Sequence, residues 1–283
     1  MARSPQELVS AATGVPSLPR IYGRLTEVLD NPRASTGHIA AIISGDAGLS
    51  ARLLRLVNSA FYCFPSKVES ISHAVTLVGT EQIRDLALAT SILRIFNGIS
   101  ADLVDMESFW LHSVSTGVAA RLLATHRGEG NSERFFVAGV LHDIGRLLMF
   151  KTWPEEAQWA LARARETRGP LVEIEQELFG FDHAVAAGEV LDAWRLPPTL
   201  AEMIRYHHDP GSAHQHPAEA AVMHVADVIV TSLELGHSGD EAVPRFSRAA
   251  WECLALPPGA LVAVAAQAER QVEEVRRSLL AGA

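Results

Sequence analysis

Seven residues in the second half of the chain are of the types that ligate divalent metal ions: His112, the adjacent His142 and Asp143, His183, the adjacent His207 and His208, and Asp227. A neutral imidazole offers a nitrogen lone pair and a carboxylate offers charge. Mixed ligation of this kind suits Fe, Mn, Zn, Ni or Co better than Ca. His142 and Asp143 follow the apolar run Phe135-Phe136-Val137-Ala138-Gly139-Val140-Leu141, which reads as a buried helix. An unpaired imidazole and carboxylate are costly to bury there, and a metal ion removes that cost. On the dipeptide alone, a His-Asp pair making ordinary hydrogen bonds at a helix end explains the pattern equally well. The other five residues shift the balance. His112 lies one helix earlier, in Phe109-Trp110-Leu111-His112. His183 precedes a later small-residue helix, His207 and His208 close another, and Asp227 sits mid-helix after His224-Val225-Ala226. Histidines and aspartates on separate helices can converge inside a helical bundle. There, Asp143 can bridge two ions, the arrangement that activates water against phosphoesters.

Arg146, one turn after His142, has two readings: a group facing a phosphate, or a surface charge. His38, His73, His126 and His237 sit in surface or turn contexts and are expected to be bystanders.

The elements that must position these residues are helices. Ala and Leu are abundant, helical spacing is common and β-type alternation is scarce, so the fold class is all-α. In the first half the spacing predicts helices over 36–44, over 49–57 with Asp46 as cap, over 71–78 stopped by Gly79, and from Thr80, as a cap, to about 96. The stretch 98–101 is the best candidate boundary. Further helices are predicted near 106–126, 131–150, 154–168, 171–178, 182–193, 197–207, 217–235 and 258–280. The last is amphipathic, with Glu269, Glu273, Glu274, Arg276 and Arg277 read as a solvated face.

Composition narrows the functional classes. Hydrophobic residues at 48% and charged residues at 20% are ordinary for a globular chain and exclude a mostly disordered one. A net charge of -9, with no basic patch, argues against nucleic-acid binding. Cys63 and Cys253 form no spaced ligand pair and are expected to be buried thiols in a reducing cytoplasm. The N-terminus has no signal-peptide pattern, and no apolar run is long enough to span a membrane. The expected location is cytoplasmic.

The order His112, His142-Asp143, Asp227 resembles the HD superfamily of metal-dependent phosphohydrolases, and the addition of His183 and His207-His208 resembles its HD-GYP branch, which hydrolyses cyclic dinucleotides. The whole chain most resembles the HDOD family, the HD-related output domain of bacterial signalling proteins. The segments that carry this are Val15-Pro16-Ser17-Leu18-Pro19, Ile42-Ile43-Ser44 with Asp46, Leu49-Ser50-Ala51-Arg52-Leu53-Leu54, Val57-Asn58-Ser59-Ala60-Phe61-Tyr62 and Ala74-Val75-Thr76-Leu77-Val78-Gly79. In the second half they are Ala138 to Arg146 and Trp194-Arg195-Leu196-Pro197. The likeness covers about residues 14–235. It implies an N-terminal helical part at 14–98 and an HD-like metal-binding core at 102–235, with 236–283 as a C-terminal helical extension.

The resemblance implies a regulatory protein, because HDOD proteins are usually so regarded and many have lost ligands. They often stand beside other signalling modules. None is recognisable here, so this chain is expected to act alone or to recruit signalling partners through its own surface. All seven ligand-type positions are kept, which implies a divalent transition metal, two ions with Fe or Mn favoured and Zn or Ni as further choices. After His208 the chain reads Asp209-Pro210-Gly211-Ser212-Ala213 in place of a Gly-Tyr-Pro loop, which argues against hydrolysis of cyclic di-GMP. Ser108 stands where a Glu ligates a third metal in some relatives, which argues against a third ion. The Asn58-Ser59-Ala60 segment is expected to end a helix and let Phe61 and Tyr62 pack. Three readings follow: a metal-holding signalling module, a metal-dependent phosphohydrolase or phosphodiesterase acting on a nucleotide or cyclic dinucleotide, and a metal-free scaffold. In the enzyme reading Asp143 and Arg146 carry the chemistry. His112, His142, Asp143 and Asp227 would hold one ion, and His183, His207 and His208 the other.

Overall fold

The structure is a computed structural model and describes residues 4–11, 17–31, 33–96, 98–240 and 242–280. Val15 and Pro16 of the first signature segment lie outside the described residues. All regular structure within them is helical. The first half holds α1 (Pro5–Ala11), α2 (Arg20–Leu29), α3 (Thr36–Ser44), α4 (Ala47–Val57), α5 (Ile71–Val78) and α6 (Thr80–Ile92). The second holds α7 (Met106–Arg127), α8 (Glu133–Leu141), α9 (Ile144–Thr152), α10 (Pro154–Thr167), α11 (Leu171–Phe179), α12 (His183–Ala193), α13 (Pro198–Arg205), α14 (Pro217–Ser232), α15 (Arg248–Leu254) and α16 (Pro258–Leu279).

Local chemistry sets most of these ends. Asp46 caps α4, its Oδ1 accepting the Leu49 N–H at 2.9 Å. Gly79 ends α5 at φ +108°, a backbone state that favours glycine. The expected cap at Thr80 is corrected, since Gly79 occupies the cap position and Thr80 is the first helical residue. The helix expected over 131–150 is two helices. It breaks at His142 and Asp143, where Asp143 leaves the helical region at φ -101°, ψ 5°. The short α1, α2 and α15 escape the sequence reading. Both cysteines are exposed, contrary to expectation. Cys63 sits in a turn at φ 52°, beyond the end of α4, and Cys253 lies on the outer side of α15.

Asn58 closes α4 and clamps the following loop. Its amide accepts the Val68 N–H at 2.7 Å and donates to the carbonyls of Val68 (2.8 Å) and Leu54 (2.7 Å). Phe61 and Tyr62 then pack as expected. Phe61 meets Phe136 edge-on at 4.8 Å, and the Arg121 guanidinium lies 4.0 Å from the Phe61 ring centre. Tyr62 donates to Glu133 at 3.0 Å and Arg121 donates to the Phe61 carbonyl at 2.9 Å, so this cluster joins the two halves.

The core of the second half is α7 packed on α8 and α14, with α12 against α9 and α13. Three glycines permit its closest crossings. A Cβ on Gly139 would lie 2.2 Å from the Gly117 nitrogen, and one on Gly145 2.0 Å from the His183 carbonyl oxygen. α16 lies along α7 and α4 and so spans both halves. Glu273, Arg276 and Arg277 pair on its outer side, as read from the sequence, but Glu274 accepts the Ala60 N–H at 2.8 Å. Among the described residues no single helix is long and apolar enough to cross a membrane.

Candidate metal centre

The break between α8 and α9 is where the site begins. His142 ends one helix and Asp143 starts the next, so both side chains turn into the bundle, the imidazole wholly buried and the carboxyl 2% exposed. α7 brings His112 and α14 brings Asp227. α12 opens on His183, and the turn after α13 carries His207 and His208. All seven sequence-predicted residues meet in one place. Their donor atoms fall into close triads: His112, His142 and Asp227; His183, His207 and His208; and His142, Asp143 and His207.

Asp143 stands between the groups. Its Oδ2 lies 3.3 Å from His142 Nε2 and 3.6 Å from His112 Nε2, and its Oδ1 lies 3.0 Å from His183 Nε2. Asp227 Oδ1 lies 3.3 Å from His112 Nε2 and 3.9 Å from His142 Nε2. His183 and His208 face each other at 2.9 Å between Nε2 atoms.

The ring orientations suit a metal. The Nδ1 atoms of His142 and His207 lie 2.7 Å from the carbonyls of Gly139 and Ile204, which fixes the proton on Nδ1 and turns the Nε2 lone pair inward. Both Nε2 atoms are buried without a hydrogen bond, and so is His112 Nδ1. Buried polar atoms are seldom left so. Burial holds His142 and His207 below the ordinary histidine range, His207 down to about 3, so both are neutral and free to ligate. Burial raises the Asp143 carboxyl, but Arg146, His142 and His183 outweigh it and hold the group well below the usual carboxylate range. Asp227 is likewise depressed, burial being overcome by His112 and His142. The donor set therefore fits one or more divalent ions held by neutral imidazoles and ionised carboxylates.

Glu175, on α11, is a site residue that sequence reasoning missed. Its Oε2 takes the His183 Nδ1–H at 2.5 Å and the His183 backbone N–H at 3.0 Å. Burial and Arg146 lower His183, but Glu175 and Asp143 raise it to about 10, so a proton and a metal compete for its Nε2. Glu175→Gln is expected to weaken metal binding about 10-fold, within the range for such supporting partners. Competition with a chromophoric chelator measures this, and an unchanged affinity would remove Glu175 from the site.

Arg146 is no surface charge. It is 2% exposed and ringed by partners: Nη1 donates to Ser238 Oγ at 2.6 Å, Nη2 to Asp240 at 3.4 Å, and Glu175 and Asp143 lie at 3.4 and 3.7 Å, with Nε left without a hydrogen bond. Ser238 and Asp240 were also missed. They belong to the segment after α14, which starts at Gly236, where a Cβ would strike the His112 nitrogen at 2.5 Å. Ser108 anchors this segment by accepting the His237 N–H at 3.0 Å. His38, His73, His126 and His237 are exposed as expected, and His237 flanks the mouth of the site. His224 is structural. Its Nδ1 meets the His207 carbonyl at 2.8 Å and its Nε2 accepts the Ser247 N–H at 3.0 Å. Between His112, Asp143, Arg146, His208 and Asp227 lies a cavity of about 20 Å³, roughly the space of a water or an ion.

Known proteins share this architecture. A crystal structure of an HDOD domain protein of unknown function from Geobacter sulfurreducens is 23% identical, with 97% of this chain and 95% of that chain covered and a TM-score of 0.79. A protein from Shewanella amazonensis SB2B, provisionally named a phosphohydrolase, is 25% identical over 98% of both chains, with a TM-score of 0.75. An uncharacterized protein of Treponema pallidum (strain Nichols) is 24% identical over 241 residues, which is 83% of this chain and 46% of that protein. The chain thus spans about half the length of this curated relative. The family model of the HDOD domain matches residues 15–210, from the N-terminal signature through the His207-His208 pair. With sequence signature and helical architecture in agreement over that span, the chain belongs to the HDOD family.

Proposed function

We propose that this chain is a bacterial signal-transduction protein of the HDOD type whose HD-like core, residues 102–235, holds divalent metal for structure or sensing. The observation that carries the reading is Asp143, whose two oxygens face two different histidine groups while the Nε2 atoms of His142 and His207 stand buried without partners. His112, His142, Asp143 and Asp227 would hold one ion, and His183, His207 and His208 a second, with Asp143 shared between them. Fe or Mn suits this mixed set, and Zn or Ni are alternatives. A bound ion supplies fixed positive charge that ties five helical segments together. The small cavity favours a metal that organises the fold over one that turns over a nucleotide, since ligand pockets usually measure about 300–1,000 Å³. Protein partners in a cytoplasmic signalling pathway complete this reading.

The second reading, a phosphohydrolase or phosphodiesterase, has an observation of its own. On another side of His208 lies a pocket of about 410 Å³, lined by Asp209, Pro217, His224, Arg245 and Ser247 among others, large enough for a phosphoester. The likeness to the Shewanella amazonensis protein points the same way. One experiment separates the readings: elemental mass spectrometry of untagged protein, then turnover of cyclic dinucleotides, nucleotides and an aryl phosphate with Mn and Fe(II). Bound transition metal with turnover at the metal-only blank is the expected result. Turnover lost in Asp143→Ala would establish the enzyme. A chain that takes up no Fe(II), Mn or Zn would refute both.

A further inference from the structure

Arg52 belongs to the signature segment Leu49–Leu54, which the metal centre does not use, and it is an anomaly. The residue is nine-tenths buried, at 9% exposure. Its Nε is sealed from solvent with no hydrogen bond, and among the described residues the side chain has no ion pair. Arg146 shares the unbonded Nε, but there Nη1 donates to Ser238 at 2.6 Å and the carboxylates of Asp143, Glu175 and Asp240 lie within 3.7 Å, whereas no such partner stands by Arg52 among the described residues. Burying a polar atom with no partner is unfavourable, and such atoms left over in a native fold call for an explanation such as an ion.

The direction of the side chain supplies one. Helical side chains lean toward the N-terminus of their helix. Arg52 runs back along α4 to its first turn, where Nη1 stands 3.1 Å from the place a Cβ on Gly48 would take. Glycine inside a helix costs about 0.5–1 kcal/mol relative to alanine. Here it leaves the guanidinium its place. The N–H groups of Ala47 and Gly48 have no acceptor among the described residues, because Asp46 directs its side chain to Leu49 instead. Ser44 to Gly48 are exposed, so this end of the helix is open to a ligand. Burial lowers the Arg52 pKa and the positive charges of Arg94 and Arg55 add to it, while Asp46, whose Oδ1 stands 3.4 Å from the same Gly48 Cβ position, opposes them. The helix dipole adds positive potential at the same end.

We propose that Arg52 and the first turn of α4 form a binding site for a phosphate-type oxyanion, received by the guanidinium and the Ala47 and Gly48 amides. Helix N-termini and arginine forks recognise such groups by the same charge-assisted hydrogen bonds. The site lies in the first half of the chain and does not depend on metal at the other centre.

The test is a titration of the full-length ¹⁵N-labelled chain with inorganic phosphate at constant ionic strength, followed by amide resonances. Ala47 and Gly48 are expected to shift saturably. Arg52→Met is expected to weaken binding about tenfold or more, the loss of a charge-assisted bond, and Arg52→Lys less. Phosphate taken by the metal centre would move resonances near His112 and Asp227 and survive in Arg52→Met, so it is told apart. A phosphoserine peptide is the second titrant. Tighter binding than free phosphate assigns the site to a phosphorylated protein, and equal binding assigns it to small phosphate-bearing molecules. Ala47 and Gly48 amides that stay still, or that move alike in wild type and an Arg52→Met variant of native circular dichroism, overturn the proposal.

Discussion

Asp143→Ala is expected to purify without metal in either group, while Asp227→Ala keeps metal in the His183 group. Asp143 turns one oxygen to each set, Oδ2 toward His112 and His142 and Oδ1 toward His183. The ion pairs of Asp227 within 4 Å are with His112 and His142, both of the first set. The asymmetry follows from geometry, and metal content per chain reads it directly. Asp143 also faces Arg146 and His183 in a buried site, so its removal leaves positive charge less compensated. Breaking a buried ion pair from one side costs about 3–5 kcal/mol, so the melting temperature should fall as well. Asp143→Asn, which keeps the volume, separates the two effects. Full metal content in Asp143→Ala would contradict the shared-carboxylate geometry.

Gly145→Ala is the most damaging small substitution expected. Its Cβ would come 2.0 Å from the His183 carbonyl oxygen and 2.8 Å from the Ala187 nitrogen, both backbone atoms of α12. Backbone in a packed helix cannot step aside as a side chain can, so α9 and α12 must separate. The ordinary penalty for overpacking is about 1–3 kcal/mol, and this contact should exceed it. Denaturant unfolding measures that cost. His183 moves with α12, so metal affinity should fall in whatever protein remains folded. A variant within about 0.5 kcal/mol of wild type, the range of harmless surface changes, would show the crossing to be looser than described.

The helical class and all seven ligand-type residues were legible in the sequence for a physical reason. Histidine and aspartate inside apolar runs violate the usual price of burial, and such violations stand out one residue at a time. Glu175 does not stand out. It sits in Leu171-Val172-Glu173-Ile174-Glu175-Gln176-Glu177, where several acids alternate with apolar residues and every one reads as solvated. Only the fold shows that Glu175 turns inward, at 3% exposure, while Glu173 and Glu177 face out. Ser238 and Asp240 were hidden differently. They reach Arg146 across more than ninety residues of chain, a distance no local pattern spans. The break at His142 and Asp143 was missed because helix propensity runs smoothly through both sides of it. The stop comes from tertiary demand for two inward-facing side chains. The cysteines were misjudged from average behaviour, since thiols are usually buried and these two lie at a turn and an outer helix face.

α7 carries His112 near one end and, nine residues on, Arg121, which is seated under Phe61 of the other half. At 1.5 Å per residue these points are about 13 Å apart on a stiff rod. A tilt of about 10° pivoted at His112 would move Arg121 by roughly 2 Å over that length. That is half of its 4.0 Å spacing from the Phe61 ring centre. The same helix is therefore a lever, with a ligand at its fulcrum and the joint between the halves under its long arm.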